Sequence, residues 1–330
     1  MQESCMMKKS ILAIAVASLA VSTAAMAEST VYGNVHVSLN QFDKDDGTGA
    51  GTNGNMDMTS NTSSLGVKGS EDLGDGMKAI YQMEFQIDVA DGGAIKTRDQ
   101  FVGLKGGFGT LKLGTMSSNY KQTGGKVDAL YRTPAEGRGF IATQSSDLHG
   151  GLGINRGRET NTLQYSSPKF SGIELVANTT VSGAEDETTG VGVRWANKDI
   201  LVYVDWIDGQ TGTAISGTGA TTEAATKIGG KFSADAFFIS AQYEDADKRT
   251  GYNYTHLNGG WNINANNAII ATYGTAAHID NGALDTTGMA IAYNHNLSKM
   301  TNVYVAYMDK SSDTAAIEDS AFALGIKKKF

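Results

Sequence analysis

The histidines are the residues of this 330-residue sequence best suited to acid–base chemistry. Nucleophilic catalysis needs a base within hydrogen-bond reach of the nucleophile, and a third group that orients the base. The histidines occur singly, without a paired spacing, and the only cysteine is Cys5; they are His36, His149, His256, His278 and His295. This pattern favours ordinary strand and loop histidines over a hydrolase or protease centre, so we predict that the protein is not an enzyme.

Two short motifs resemble ion-binding loops, and neither is complete. The stretch from Asp43 to Gly47 has the acidic spacing that begins a calcium loop, but no glutamate stands at the twelfth position. Gly107-Phe108-Gly109 is not followed by the helix on which a phosphate-binding loop depends. We interpret the first as a solvated loop and the second as a hairpin turn, and expect no metal or cofactor.

The N-terminal residues have the three-part pattern of a secretory signal. A basic stretch from Met7 to Ser10 precedes a run of small and apolar residues, and Ala25-Met26-Ala27 has the small-x-small form of a cleavage site. The apolar run of about 15 residues is short of the roughly 20 that a membrane helix needs. We therefore expect a signal peptide over residues 1–27, including upstream start residues before Met7, and one mature domain over 28–330.

The mature chain is acidic and contains no cysteine. Removing Glu3, Lys8 and Lys9 leaves 25 basic and 34 acidic residues, a net charge of −9, which disfavours nucleic acid as a partner. An exported domain without disulfides must be stabilised by its core or by closed hydrogen bonding. After Ala27 no apolar stretch approaches 18 residues, so no membrane helix is predicted.

A two-residue rhythm dominates the mature sequence. In the segment from Val31 to Leu39, apolar residues alternate with Tyr32, Asn34, His36 and Ser38, which is typical of a strand with one apolar and one polar face. No segment shows a 3.6-residue period over 12 or more residues. We predict about 16 strands near residues 29–42, 62–71, 77–89, 97–106, 109–116, 159–168, 172–182, 189–197, 200–208, 224–234, 236–246, 251–264, 267–279, 285–297, 301–311 and 319–330.

The connections predict an up-and-down meander. Tight turns such as 73–76 and 106–109 alternate with long polar loops such as 43–61 and 208–223. The longest gap, 117–158, exceeds what a compact domain normally leaves without structure, so we expect it to have a function. It carries an excess of positive charge: Lys121, Lys126, Arg132, Arg138, Arg156 and Arg158 against Asp128, Glu136 and Asp147.

Two all-β architectures fit this pattern. In a soluble sandwich the apolar faces turn inward, whereas in a membrane barrel they meet lipid and the polar faces line the lumen. Strands of about 10 residues are long enough to cross a bilayer at a tilt. The alternation of Ala321 to Phe330 also has a purpose in a barrel, because the last strand must pair with the first to remove the sheet edges. We predict a transmembrane antiparallel β-barrel closed by the strand of Phe330, with a polar lining that includes Asn34, His36, Lys68, Lys78, Gln82 and Glu84.

Five motifs in sequence order resemble the general-diffusion porins of Gram-negative outer membranes, most closely the type found in Neisseria and Bordetella. They are VYGNVHVSL from Val31, SSLGVKGSEDLGDGMKAIYQMEF from Ser63, RDQFVGLKGGFGTLKLG from Arg98, RGRETNTLQYSSPKFSG from Arg156 and the closing FALGIKKKF. The resemblance implies a 16-stranded barrel, a homotrimer without cofactor, and a third loop, here about 117–155, that folds into the lumen. It also implies contact with outer-membrane lipid and lipopolysaccharide, and folding by the barrel assembly machinery.

The resemblance further implies a constriction where loop acids face arginines of the wall. The matching wall positions are Arg98, Arg156 and Arg158, and the candidate loop acids are Asp128, Glu136 and Asp147. The sequence departs from the family pattern at three positions where the family usually has two arginines and an acid, which are occupied here by Ser64, Thr115 and His36. The wall should therefore be less basic than the family pattern.

These expectations lead to a function and an alternative. The predicted function is passive diffusion of small hydrophilic solutes and ions, with a weak anion preference because the charge at a constriction outweighs distant surface charge. The alternative is an outer-membrane barrel that acts as an adhesin or a surface enzyme. A soluble periplasmic binding protein is the third hypothesis, and it would be extracted without detergent.

Overall fold

The computed structural model describes residues 28–44, 53–93, 95–149, 157–183, 187–209, 224–313 and 317–330. The predicted signal peptide, residues 1–27, and Arg156 lie outside these ranges. No helix in the described ranges is both long and apolar enough to cross a membrane.

The structure is built almost entirely from strands. They are β1 Glu28–Asp43, β2 Asn53–Ser60, β3 Ser64–Gly74, β4 Met77–Gln86, β5 Lys96–Gly106, β6 Gly109–Ser117, β7 Arg158–Ser166, β8 Ile173–Thr180, β9 Thr189–Ala196, β10 Ile200–Asp208, β11 Ala225–Ser233, β12 Phe237–Ala246, β13 Tyr252–Asn264, β14 Asn267–His278, β15 Thr286–Ser298, β16 Thr301–Ser312 and β17 Ile317–Lys329. Three short helices complete the described elements: α1 Asn119–Val127, α2 Ser146–His149 and α3 Asp247–Thr250. A 3₁₀ turn spans Gly282–Leu284.

The sheet closes on itself. From β3 to β17 each strand pairs antiparallel with the next, and β17 returns to β1 in a register that runs from Asn34 opposite Lys329 to Asp43 opposite Ser320. Gly33 and Phe330 then exchange two backbone hydrogen bonds of 3.0 and 3.1 Å. The predicted closure by the strand of Phe330 is confirmed, and the backbone groups of β1 and β17 satisfy one another without water.

The segments β2 and β3 together form one strand of the barrel. The C-terminal part of β1, from Val37 to Asp43, pairs with β2. The N-terminal part, from Glu28 to Asn34, pairs with β3. Residues 61–63 interrupt the strand, and Thr62 there has a positive φ of 60°. Seventeen strand segments therefore make a closed barrel of 16 strands, which confirms the predicted class and number.

The prediction that residues 43–61 form a loop is wrong for residues 53–60. The composition NGNMDMTS is rich in residues that strands disfavour, so the local signal is weak. Pairing with the long β1 nevertheless extends the strand, and it places Met56 and Met58 on the outer face. Each of the sixteen predicted ranges overlaps an observed strand.

The two faces of the wall are inverted relative to a soluble protein. On β1, Val31 is 53 % exposed on the outer face, whereas Asn34 and His36 are 7 % and 1 % exposed on the inner face. The same pattern continues around the barrel, with outward apolar side chains that include Val102, Leu113, Val193, Ile239, Ile291 and Leu324. Aromatic side chains near strand ends are also exposed, among them Phe170 and Trp261. An apolar outer band with aromatics near its ends is what a lipid-facing barrel requires.

Candidate functional site: the lumen and the third loop

The third loop, between β6 and β7, enters the lumen and begins with the helix α1. The hydroxyl of Ser118 caps this helix by accepting a hydrogen bond from the Lys121 N–H. One face of α1 packs against the far wall: Asn119 Nδ2 donates to Asp205 Oδ1 at 3.0 Å, and Ser240 Oγ donates to the Val127 carbonyl at 2.5 Å. The start of the helix is thus bound to β10, and its end is bound to β12.

The middle of the loop, from Leu130 to Ile141, packs on β15 and β16. Leu130, Ala135 and Ile141 share an apolar cluster with alanines and Met308 of these strands. The loop backbone comes so close that a Cβ on Gly288 would lie 2.0 Å from the Ile141 carbonyl oxygen. Glycine is therefore required at this inner-face position for the loop to reach the wall.

A cavity of about 740 Å³ remains between the loop and the opposite wall, formed by β4 to β9. Seven cationic side chains line it, and two carboxylates: Lys105, Lys112, Lys121, Lys126, Arg132, Arg158 and Arg194 against Asp99 and Glu174. Amide and aromatic side chains complete the polar lining, including Gln82, Gln122, Gln164, Phe101 and Tyr131. The lining is thus polar and carries a formal excess of positive charge.

The two described wall arginines from the sequence prediction lie in this region. Arg98 pairs with Glu84 and donates to Gln86 at 3.2 Å, and it is almost fully buried. Arg158 faces the cavity and donates from Nε to Asp99 Oδ1 at 2.7 Å. Arg98 therefore pairs with an acid of the adjacent strand β4, and Arg158 pairs with an acid of β5, two strands away.

The structure does not place the three predicted loop acids opposite these arginines. Asp128 has a fully buried side chain that accepts the N–H groups of Leu130 and Gly137 at 2.9 and 2.8 Å, and burial raises its pKa to about 7. Glu136 forms an ion pair with Arg138 at 2.8 Å. Asp147 is half-buried in α2, outside the cavity lining. The acids of the loop shape its fold, since two of the three bind groups of the loop itself.

The cations around Lys121 lie close enough together to repel one another. Burial, followed by the nearby Arg158, Arg138 and Arg98, lowers the pKa of Lys121 to about 6. Burial, followed by Arg194, also lowers the pKa of Lys126. An anion that entered the cavity would offset this mutual repulsion.

The predicted lining residues divide into two groups. Asn34 and His36 are on the inner face but covered: Asn34 Nδ2 donates to Ser64 Oγ, and a ring nitrogen of His36 lies 2.9 Å from the Tyr304 hydroxyl. Gln82 lines the cavity.

The other three lie on the wall that faces the cavity or beside it. Glu84 binds Arg98 and accepts the Tyr32 hydroxyl at 2.9 Å. Lys68 lies over the Tyr32 ring at 4.8 Å, and Lys78 is opposite Lys105 in the register of β4 and β5. The inner face is thus composed of polar side chains, many of which bind one another.

Two cations of the wall that line the cavity, Lys112 and Arg194, are not among the predicted site residues. Lys112 lies between Leu111 and Leu113, and Arg194 follows Val193, so the alternation already indicates that both face inward. Lys112 Nζ lies 4.7 Å from the centre of the Phe101 ring. Only the packing of α1 shows that these two strands border the open part of the lumen.

Comparisons with known proteins agree with this geometry. The profile of the Gram-negative porin family matches residues 13–315. The major outer membrane protein P.IB of Neisseria meningitidis serogroup B is 26 % identical over 98 % of this chain and 100 % of that protein. P.IB of Neisseria gonorrhoeae is 33 % identical over 58 % of this chain. That match covers 54 % of the relative, so the chain spans about half of its length.

Solved structures show the same fold. The anion-selective porin from Comamonas acidovorans superimposes with a TM-score of 0.75 at 19 % identity, over 92 % of this chain and 100 % of that one. A trimer form of OmpT from Vibrio cholerae superimposes with a TM-score of 0.68 at 14 % identity, over 92 % and 99 %. Trimeric forms therefore occur among the structural neighbours. The chain belongs to the Gram-negative porin family, whose barrels lie in the outer membrane.

Proposed function

We propose that this barrel is a channel for passive diffusion of small hydrophilic solutes and ions, and that it prefers anions. The observation that carries the proposal is the cavity of about 740 Å³, whose lining has seven cationic side chains and two carboxylates. A polar lining lets an ion retain favourable partners while it passes, so the ion need not be stripped of hydration.

The size of the cavity supports the anion preference. The Debye length is about 10 Å at 0.1 M salt, so charges on opposite sides of such a space act on the same ion with little screening. A low-dielectric wall concentrates their field in the water between them. The neighbour from Comamonas acidovorans, described as anion-selective, is consistent with this preference in the same fold.

Recordings in planar bilayers with a KCl gradient test both parts of the proposal. We expect stable single-channel conductance and a reversal potential with the sign of chloride permeation. A reversal potential that favours potassium would refute the anion preference. Liposomes that contain the protein should swell with small sugars faster than empty vesicles, and equal swelling rates would refute the diffusion function.

The anion preference should increase as the pH falls through about 6. Lys121 is a base whose pKa is lowered to about 6 by burial, followed by Arg158, Arg138 and Arg98, while Asp99 acts in the opposite direction. It is mostly neutral at pH 7.5 and mostly charged at pH 5, so acidification adds positive charge to the cavity lining. Reversal potentials at the two pH values measure the effect, and Lys121→Gln should make this step smaller. A step of equal size in the variant would contradict the assignment.

We also propose a homotrimer, with support from the trimer form of OmpT. Sedimentation of the detergent-solubilised protein measures this, and a monomer mass would refute it. The outward apolar face is suited to outer-membrane lipid and lipopolysaccharide, and insertion of such a barrel is expected to use the barrel assembly machinery.

The alternative of a surface enzyme has little support from the histidines. His149 binds Glu244 at 3.2 Å, and His256 binds the Thr143 hydroxyl at 2.8 Å. Both rings are buried between the loop and the wall, where no solute in the cavity touches them. Their contacts are those of residues that hold the loop.

A further inference from the structure

One carboxylate on the wall binds three separate parts of the third loop. Glu244, on the inner face of β12, is fully buried. Its Oε2 accepts the Tyr120 hydroxyl at 3.1 Å, and its Oε1 accepts the Ser145 N–H at 3.4 Å. Nε2 of His149 lies 3.2 Å from Oε1. The start of α1, the residue before α2 and the end of α2 thus converge on a single side chain.

The neighbours of Glu244 strengthen this junction. Gln242 donates to Oε1 at 2.6 Å from the same strand. Lys227 is also fully buried, donates to the Tyr120 carbonyl, and has its Nζ 4.0 Å from the centre of the Tyr120 ring. Burial, followed by Lys227, lowers the pKa of His149 to about 4, so its ring is neutral at pH 7 and can donate one N–H. A buried carboxylate with this many donors is stable, whereas one without partners is costly.

Helix α1 connects this junction to the cavity. Its residues Tyr120, Thr123 and Val127 follow the three- and four-residue spacing of one helix face and are buried toward the wall. Lys121, Gln122 and Lys126 lie on the other face and line the cavity. Any movement of α1 away from β12 therefore carries two lysines into the open space.

We propose that Glu244 is the positioning residue that holds the third loop against the β10–β12 wall and so determines the width of the open passage. The proposal rests on the channel function. Glu244 itself does not line the cavity, so its effect on permeation acts through α1. Its loss lets α1 leave the wall intermittently, and each departure narrows the passage.

Single-channel recordings of Glu244→Gln test the proposal. The amide of glutamine presents an NH₂ where the carboxylate accepts hydrogen bonds, so at least one loop donor loses its acceptor. We expect brief partial closures about tenfold more frequent than in the wild type, because a hydrogen bond to a charged group typically accounts for a change of this order.

The matched control is Asp245→Asn. Asp245 is the next residue of β12, is exposed on the outer face, and loses the same single charge in this variant. We expect its recordings to match those of the wild type. Suppose that the wild type conducts and that Glu244→Gln shows partial closures no more often than Asp245→Asn. The positioning role is then refuted, while the channel function stands. If the wild type itself does not conduct, the channel function fails first.

A second variant tests the proposal independently in case Glu244→Gln does not fold. Tyr120→Phe removes only one hydroxyl from the junction, and it should raise the closure frequency in the same direction by a smaller factor. The double variant Tyr120→Phe/Glu244→Gln should close less often than the product of the two separate effects, because both changes act on the same junction. Effects that multiply independently would contradict a shared junction. Far-UV circular dichroism of each variant verifies the barrel.

Discussion

The combined reversal of Lys105, Lys112 and Lys126 to glutamate is expected to turn an anion-preferring channel into a cation-preferring one. The three changes lower the formal charge of the cavity lining by six, from plus five to minus one. Because the field of the lining acts on ions within the cavity, the sign of the reversal potential in a KCl gradient should change.

These three lysines are chosen because their removal leaves no acid without its partner. None of them forms an ion pair with a residue of the described ranges, whereas Arg158 pairs with Asp99 and Arg194 lies 3.8 Å from Asp205. Replacing the three lysines with glutamine should give an intermediate reversal potential. Lys299→Glu, in a turn between β15 and β16, is the control and should leave it unchanged. An unchanged sign in the triple glutamate variant would show that other charges control permeation.

The second large effect is on stability, and it distinguishes the two faces of the wall. Val102, in the middle of β5, is 59 % exposed on the outer face, and Val102→Arg should lower the free energy of unfolding by about 2–4 kcal/mol, as arginine does near the bilayer midplane. Gln82→Arg is the matched change on the inner face, where the side chain meets the polar cavity. It should fold normally and increase the anion preference.

Chemical unfolding of both variants in lipid vesicles measures this difference. The two substitutions introduce the same side chain on adjacent strands, so the added side chain and the added charge are matched. Equal unfolding free energies would mean that the outer face does not contact hydrocarbon. A cost in Gln82→Arg alone would indicate that the faces are assigned the wrong way round.

Local sequence carried most of the information about the strands. Which residues of a strand share a face, such as Val35 and Leu39 opposite Asn34, depends only on the two-residue repeat of that strand, and the exposures agree. The closing strand could also be predicted from sequence, because Phe322, Leu324 and Ile326 fall on every second position of the segment that pairs with β1. The missed strand β2 shows the limit: its residues have weak strand propensity, and its existence depends on the length of β1.

The third loop was the part that local sequence could not place. The sequence contains the positive excess between 117 and 158, but it does not show where the predicted constriction acids Asp128 and Glu136 lie. In the fold, Asp128 accepts backbone N–H groups and Glu136 holds Arg138. A short acidic side chain in a loop can meet water, backbone or another charge, and nothing in its neighbours along the chain decides which.

The sequence by itself determined the strands and which residues of each strand share a face, because a period of two is a property of each strand alone. The prediction of a closed barrel with an apolar exterior came from the strand length, the alternating C-terminal segment and the resemblance of five motifs to porins. Only the tertiary structure decided which interior charges remain open to a solute. Lys112 and Lys126 face the cavity, whereas Glu244 and Lys227 are covered by the loop. The reason is that the loop packs on the wall through contacts between residues far apart in the sequence, such as Tyr120 with Glu244. These contacts cover some of the polar side chains of the wall, so a solute cannot reach them.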